Sequence, residues 1–106
     1  MFQFDEYQRR SAQTRLNTAT FAYLVLGLAS EAGEVAGKYK KVIRGDTPLT
    51  EAFKTSIAYE LGDILWYISQ IASDLNIPLS TIAQNNIEKL FDRKERSQIQ
   101  GNGDIR

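Results

Sequence analysis

The chain has 106 residues, 42% apolar and 25% charged, with 13 basic side chains balancing 13 acidic ones. That is the makeup of one soluble globular domain, and zero net charge excludes bulk attraction to nucleic acid or to an anionic membrane. The absence of cysteine and histidine rules out disulfides, thiolate nucleophiles, Ser-His-Asp triads and the Glu-x-x-His ligands of di-iron bundles, so a metal would have to be held by oxygen.

The opening MFQFDEYQRR is polar and has no signal-like apolar run. The longest apolar run, FAYLVLGLA, is about half a membrane span, so a cytoplasmic location is expected. Phe4 to about Leu16 predicts a short first helix with Asp5 available as a cap, and Asn17 and Thr18 a cap for the next. From Thr20 to Ile43, apolar residues recur at steps of three and four (Phe21, Leu24, Val25, Leu28, Ala32, Val35, Ala36, Tyr39, Val42, Ile43), the pattern of a long amphipathic helix. Arg44-Gly45-Asp46-Thr47-Pro48 terminates it. Thr47 or Thr50 caps a third helix running to about Asn76, with Phe53, Ile57, Leu61, Ile64, Leu65, Ile68, Ile71, Ala72 and Leu75 inward. After the break at Asn76-Ile77-Pro78, residues 79–96 predict a last helix burying Leu79, Ile82, Ala83, Ile87, Leu90 and Phe91. The reading is a single all-α domain over 1–96, an antiparallel bundle of about four helices whose thin core is completed by oligomerisation. The glycine-containing SQIQGNGDIR, residues 97–106, is expected to be a loop-like or disordered tail.

The two long helices share one device. EAGEV places Glu31 and Glu34, and ELGDILWY places Glu60 and Asp63, three residues apart around a glycine. At about 100° per residue, the first acid of each pair borders the apolar stripe and the second lies about 60° outside it. Glu31 and Glu34 are too far inside their helix to serve its dipole. Only Glu34 has a basic residue at i+4, Lys38. A single helical carboxylate is ordinarily a solvated charge. Four that edge a core without local partners must rise in pKa or gather a cation, and antiparallel packing would bring both pairs into one oxygen-rich site suited to Mg²⁺ or Mn²⁺.

Lys38, Lys41, Lys89 and Arg93 are candidates to meet phosphate beside such a site, and KLFDRKER (89–96) is a predominantly basic segment. Tyr67 lies on the acid side and is a candidate for touching substrate. Trp66 projects away from the stripe toward a subunit contact. Gly33 and Gly62 suggest close approach of another helix, in the bundle or at an interface.

EAGE followed by ELGDILWY, with LGLASEAGEVAGKYKK upstream and Asn-x-x-Lys-Leu-x-x-Arg within NNIEKLFDRKER downstream, resembles the MazG-like nucleoside triphosphate pyrophosphohydrolases. These belong to the all-α NTP pyrophosphatase superfamily, with the dimeric dUTPases and dCTP pyrophosphatases. The resemblance covers nearly the whole chain, and both halves of the E-x-x-E … E-x-x-D signature are intact. It implies Mg²⁺-dependent cleavage of a (deoxy)nucleoside triphosphate between the α and β phosphates, giving monophosphate and pyrophosphate. Glu31, Glu34, Glu60 and Asp63 would be the Mg²⁺ ligands, one glutamate also orienting or deprotonating water. Tyr67, Asn86, Lys89 and Arg93, with Lys38, would contact sugar or phosphates. It further implies a dimer or tetramer of a single-unit chain. The alternative is a helical nucleotide- or metal-binding module without turnover.

Overall fold

Four α-helices account for every regular element among residues 2–100, the span described by a computed structural model, with side chains described as far as Ser97. They are α1 (Phe4–Ala12), α2 (Phe21–Arg44), α3 (Glu51–Asp74) and α4 (Leu79–Gln100). The all-α expectation holds, and the ends are set by local chemistry. Thr20 and Thr50 cap α2 and α3 by accepting from the backbone N–H of Tyr23 and Phe53, each at 3.3 Å. Gly45 (φ 85°) closes α2, with the Asp46 N–H reaching back to the Lys41 carbonyl. Asn76 (φ 58°) does the same after α3, where the Ile77 N–H donates to the Ala72 carbonyl. Pro78 then prevents continuation.

Three ends differ from the sequence reading. α1 stops at Ala12 rather than near Leu16, because tight i+3 bonds and the Thr14 hydroxyl compete for the last carbonyls. The cap of α2 is Thr20, not Asn17 or Thr18, since Arg15 folds the intervening turn by donating to the Ala19 carbonyl at 2.7 and 3.2 Å. α4 passes residue 96 and continues to Gln100; SQIQ contains no helix breaker, and the first glycine is Gly101. Residues 101–106 lie outside the described span.

Helices α2 and α3 form an antiparallel hairpin. Tyr23 faces Tyr67, Glu31 lies beside Glu60, Lys38 meets Ser56 and Glu60, and Tyr39 meets Phe53, so the pairs run in opposite senses along the two helices. α1 also runs antiparallel to α3. Gln8 bonds Ser73, Ser11 bonds Ser69 and Gln70, and Thr14 accepts from the Trp66 indole. Asp5, expected to cap its own helix, instead caps α4: its carboxylate accepts from the Ser80 N–H and hydroxyl at 2.9 and 2.6 Å. Gln8 accepts from the Leu79 N–H at 2.7 Å. The first turn of α4 is thus satisfied by α1.

The chain covers little of its own apolar surface. Among the described residues the buried apolar side chains are Leu24, Ala72 and Leu79. Of the predicted inner face of α4, only Leu79 is buried, while Ile87, Leu90 and Phe91 are exposed, as are Val25, Ile43 and Leu61. The surface is 7945 Å², against about 6,000 Å² for an ordinary compact monomer of this mass. The radius of gyration is 17.3 Å, against about 13 Å for a compact domain of this length.

Candidate metal centre

The hairpin brings the acids together. Glu31 and Glu34 from α2 and Glu60 from α3 each offer a carboxylate oxygen, and these oxygens all lie within 4.8 Å of one another. Glu31 and Glu60 are half-buried and Glu34 is exposed, the angular placement expected from the helix periodicity. Asp63, one turn beyond Glu60, is exposed and stands outside this close group. Its charge still reaches the site, raising Tyr7 (after burial) and contributing to the rise of Glu31 and Tyr67.

The electrostatics of the cluster are unbalanced. As carboxylates Glu31 and Glu60 have no donor to offer each other, and Glu31 Oε2 and Glu60 Oε2 are buried without a hydrogen-bond partner. One proton relieves this. A hydrogen bond to Glu60, aided by burial and the charges of Glu34, Glu60 and Asp63, pushes the Glu31 carboxyl up to about 7. Glu60 is held below its ordinary value, first by the hydrogen bond from Glu31 and then, against burial, by Lys38. A proton and an ammonium thus offset part of the charge, yet the two buried oxygens stay without a hydrogen-bond partner. The donor set is all oxygen, which fits Mg²⁺ or Mn²⁺ and disfavours softer metals.

Lys38 does not make the local pair with Glu34. Its ammonium crosses to α3, lying 3.3 Å from Glu60 Oε1 and donating to the Ser56 hydroxyl. Lys41 is exposed and borders the same cleft of about 300 Å³ as Lys38, Thr47, Thr50 and Ser56.

Tyr67 is positioned by a residue the sequence reading did not single out. An added Cβ at Gly27 would lie 2.2 Å from Tyr67 Cε1 and 2.8 Å from its hydroxyl oxygen, so only glycine lets the ring sit against α2. The ring also contacts Tyr23 at 6.4 Å and meets Trp66 edge-on at 5.1 Å. The Tyr67 phenol is raised foremost by its contact with the Tyr23 hydroxyl, then by burial and nearby acids, Glu31 among them. A Cβ added at Gly33 or Gly62, by contrast, would meet no other part of the chain within 4 Å. The clue in the sequence was a helix-interior glycine one turn before Glu31, in register with a tyrosine predicted on the acid side. Trp66, expected at a subunit contact, has a partner within the chain: its indole donates to the Thr14 hydroxyl at 2.8 Å, because the turn after α1 folds over it.

The α4 candidates are placed differently. Asn86 and Lys89 are exposed, and Arg93 is half-buried with its Nε unpartnered. α4 packs on α1 and α3, and among the described residues none of the three bonds to the acids.

The structure is thus an all-α fold whose hairpin gathers three carboxylates from facing helices, with a lysine and an aromatic group beside them. The chain matches the MazG nucleotide pyrophosphohydrolase domain over residues 19–97 and belongs to that family. It is similar to Gene 37 protein of Mycobacterium phage L5, with 45% identity over 86 residues, 80% of this chain and 75% of that protein. No solved structure matches it. Among the described residues, no helix is long and apolar enough to cross a membrane.

Proposed function

We propose that the protein hydrolyses (deoxy)nucleoside triphosphates between the α and β phosphates in an Mg²⁺-dependent reaction. The observation that carries this reading is the convergence of Glu31, Glu34 and Glu60, with two buried orphan oxygens, in a chain of the MazG family. Asp63, one turn beyond Glu60, would be the fourth ligand. Mg²⁺, when bound, supplies the charge that offsets the triphosphate and makes the α phosphorus easier to attack. The protein's own part is positioning. One glutamate of the cluster orients water and takes its proton, the water oxygen bonds to the α phosphorus, and the bond to the bridging oxygen breaks to release pyrophosphate. Tyr67 holds the sugar or base side of the substrate, and Lys38 the phosphates.

Asn86, Lys89 and Arg93 belong to the same substrate site once a second copy of the chain completes it. The excess surface, about 2,000 Å² above that of a compact monomer, is of the size that obligate subunit interfaces cover. We therefore expect a dimer or tetramer, with light scattering giving a multiple of the 12.0 kDa chain; a monomeric mass would count against this part.

Pyrophosphate release across standard and modified NTPs and dNTPs, with and without Mg²⁺, tests the reaction. Release should require Mg²⁺ and vanish in Glu60→Gln and Asp63→Asn while the helical circular dichroism is retained. Undiminished turnover in both variants would refute the site. Tight nucleotide binding with no turnover of any substrate would make the chain a binding module instead.

A further inference from the structure

Lys38 occupies an unusual place for a residue expected to meet substrate. It leaves its helical neighbour Glu34 and lies against Glu60, and both side chains are largely shielded, at 34% and 14% exposure. Ser56 fixes the ammonium from the other side. Three carboxylates within 4.8 Å would repel one another without a counter-charge, and Lys38 is the one basic side chain ion-paired to them among the described residues. A divalent ion taking oxygen from Glu60 would come close to this ammonium, and two cations sharing one carboxylate repel.

We propose that Lys38 is the resident counter-cation of the metal-free site: its ammonium holds Glu60 in place and must release it when a divalent ion binds. This rests on reading the carboxylates as a metal centre. The exchange has somewhere to go. Beyond Ser56 the same lysine borders a cleft lined by the apolar Pro48, Ala52 and Phe53 together with Lys41, Thr47 and Thr50, so a displaced ammonium has open space to turn into, beside a second lysine and two hydroxyls that suit anionic phosphate. The chain thereby keeps its acids assembled without metal, at the expense of intrinsic metal affinity.

Mn²⁺ binding by calorimetry, together with thermal melting in EDTA and in saturating Mn²⁺, separates this role from simple surface charge. Lys38→Met should melt several degrees lower than wild type in EDTA, bind Mn²⁺ at least about fivefold more tightly, as coupled sites commonly do, and regain the wild-type melting temperature when saturated. Lys40→Met removes the same charge from an exposed position two residues away and should neither lower the melting temperature in EDTA nor tighten Mn²⁺ binding. Ser56→Ala, which removes the second anchor but no charge, should shift both readouts in the Lys38→Met direction by a smaller amount. Mn²⁺ affinity in Lys38→Met no tighter than in Lys40→Met, with wild type still binding, overturns the counter-cation role alone. Absence of Mn²⁺ binding in wild type and Lys38→Met alike overturns the metal centre and this inference with it.

Discussion

Replacing Gly27 by alanine sets helix propensity against ring packing at the site's aromatic edge. The new Cβ would lie 2.2, 2.4 and 2.8 Å from Cε1, Cζ and the hydroxyl oxygen of Tyr67, all well inside the roughly 3.5–4 Å of an ordinary contact. Alanine in a helix interior contributes about 1 kcal/mol over glycine, while overpacking costs about 1–3 kcal/mol. The first term offsets only part of the second, so the net destabilisation expected is between zero and about 2 kcal/mol. The clashing atoms are at the far end of one side chain rather than in a backbone. The ring therefore leaves its position before the helices part, and it leaves the neighbourhood of Glu31. Stability is read by urea denaturation and catalysis by pyrophosphate release. We expect kcat/KM to fall about tenfold, a loss near 1.4 kcal/mol of transition-state binding, mostly through KM, with Tyr67→Ala falling by a similar factor. Unchanged kcat/KM alongside a measurable loss of stability would refute the placing of Tyr67 at the substrate. A destabilisation beyond about 3 kcal/mol would instead mean that the helices, not the ring, had moved.

Gln8 ties α1 to both sides of the break before α4, through Ser73, the Ile77 carbonyl and the Leu79 N–H. Gln8→Ala should destabilise by about 1–3 kcal/mol in urea denaturation, and a change under about 0.5 kcal/mol would show that α4 docks by other means. Because the folded chain raises Glu31 from 4.5 to about 7, it holds a proton that the unfolded chain releases, so metal-free stability should fall as pH rises across that window. Glu60, Asp5 and Asp74, all lowered, act in the opposite sense and below it. Melting in EDTA should be higher at about pH 5 than at about pH 8, with Glu31→Gln flattening the difference; a wild-type melting temperature that rises across the interval would contradict the raised carboxyl.

What the sequence made legible follows from geometry within a single helix. A rotation of about 100° per residue places Glu31 and Glu60 at the stripe edge and their partners outside it before any packing is known. Thr50, Gly45 and Pro78 likewise act within a few residues of their own positions, Thr50 by its hydroxyl and the other two by their backbones. Contacts between helices are another matter. Whether Lys38 meets Glu34 or Glu60, and whether the glycine against Tyr67 is Gly27 or one of the pair inside the acid motifs, depends on hairpin register. That register is set by the turn between α2 and α3 and by the packing of α1, neither of which leaves a periodic trace.

The inner face of α4 failed to appear for a different reason. Periodicity says that a side is apolar, not that its own chain covers it. Leu79 is buried because Gln8 and Asp5 fasten the first turn to α1, whereas Ile87, Leu90 and Phe91, at 48%, 49% and 61% exposure, have no such fastening. These residues sit on the helix that carries Asn86, Lys89 and Arg93, the polar candidates that, among the described residues, make no bond to the carboxylates. One arrangement answers both facts. A second chain laid along α4 would cover the apolar side and bring the basic residues toward a partner's acids, so Leu90→Lys should weaken assembly and turnover together. Loss of assembly with turnover intact would show instead that each protomer works alone.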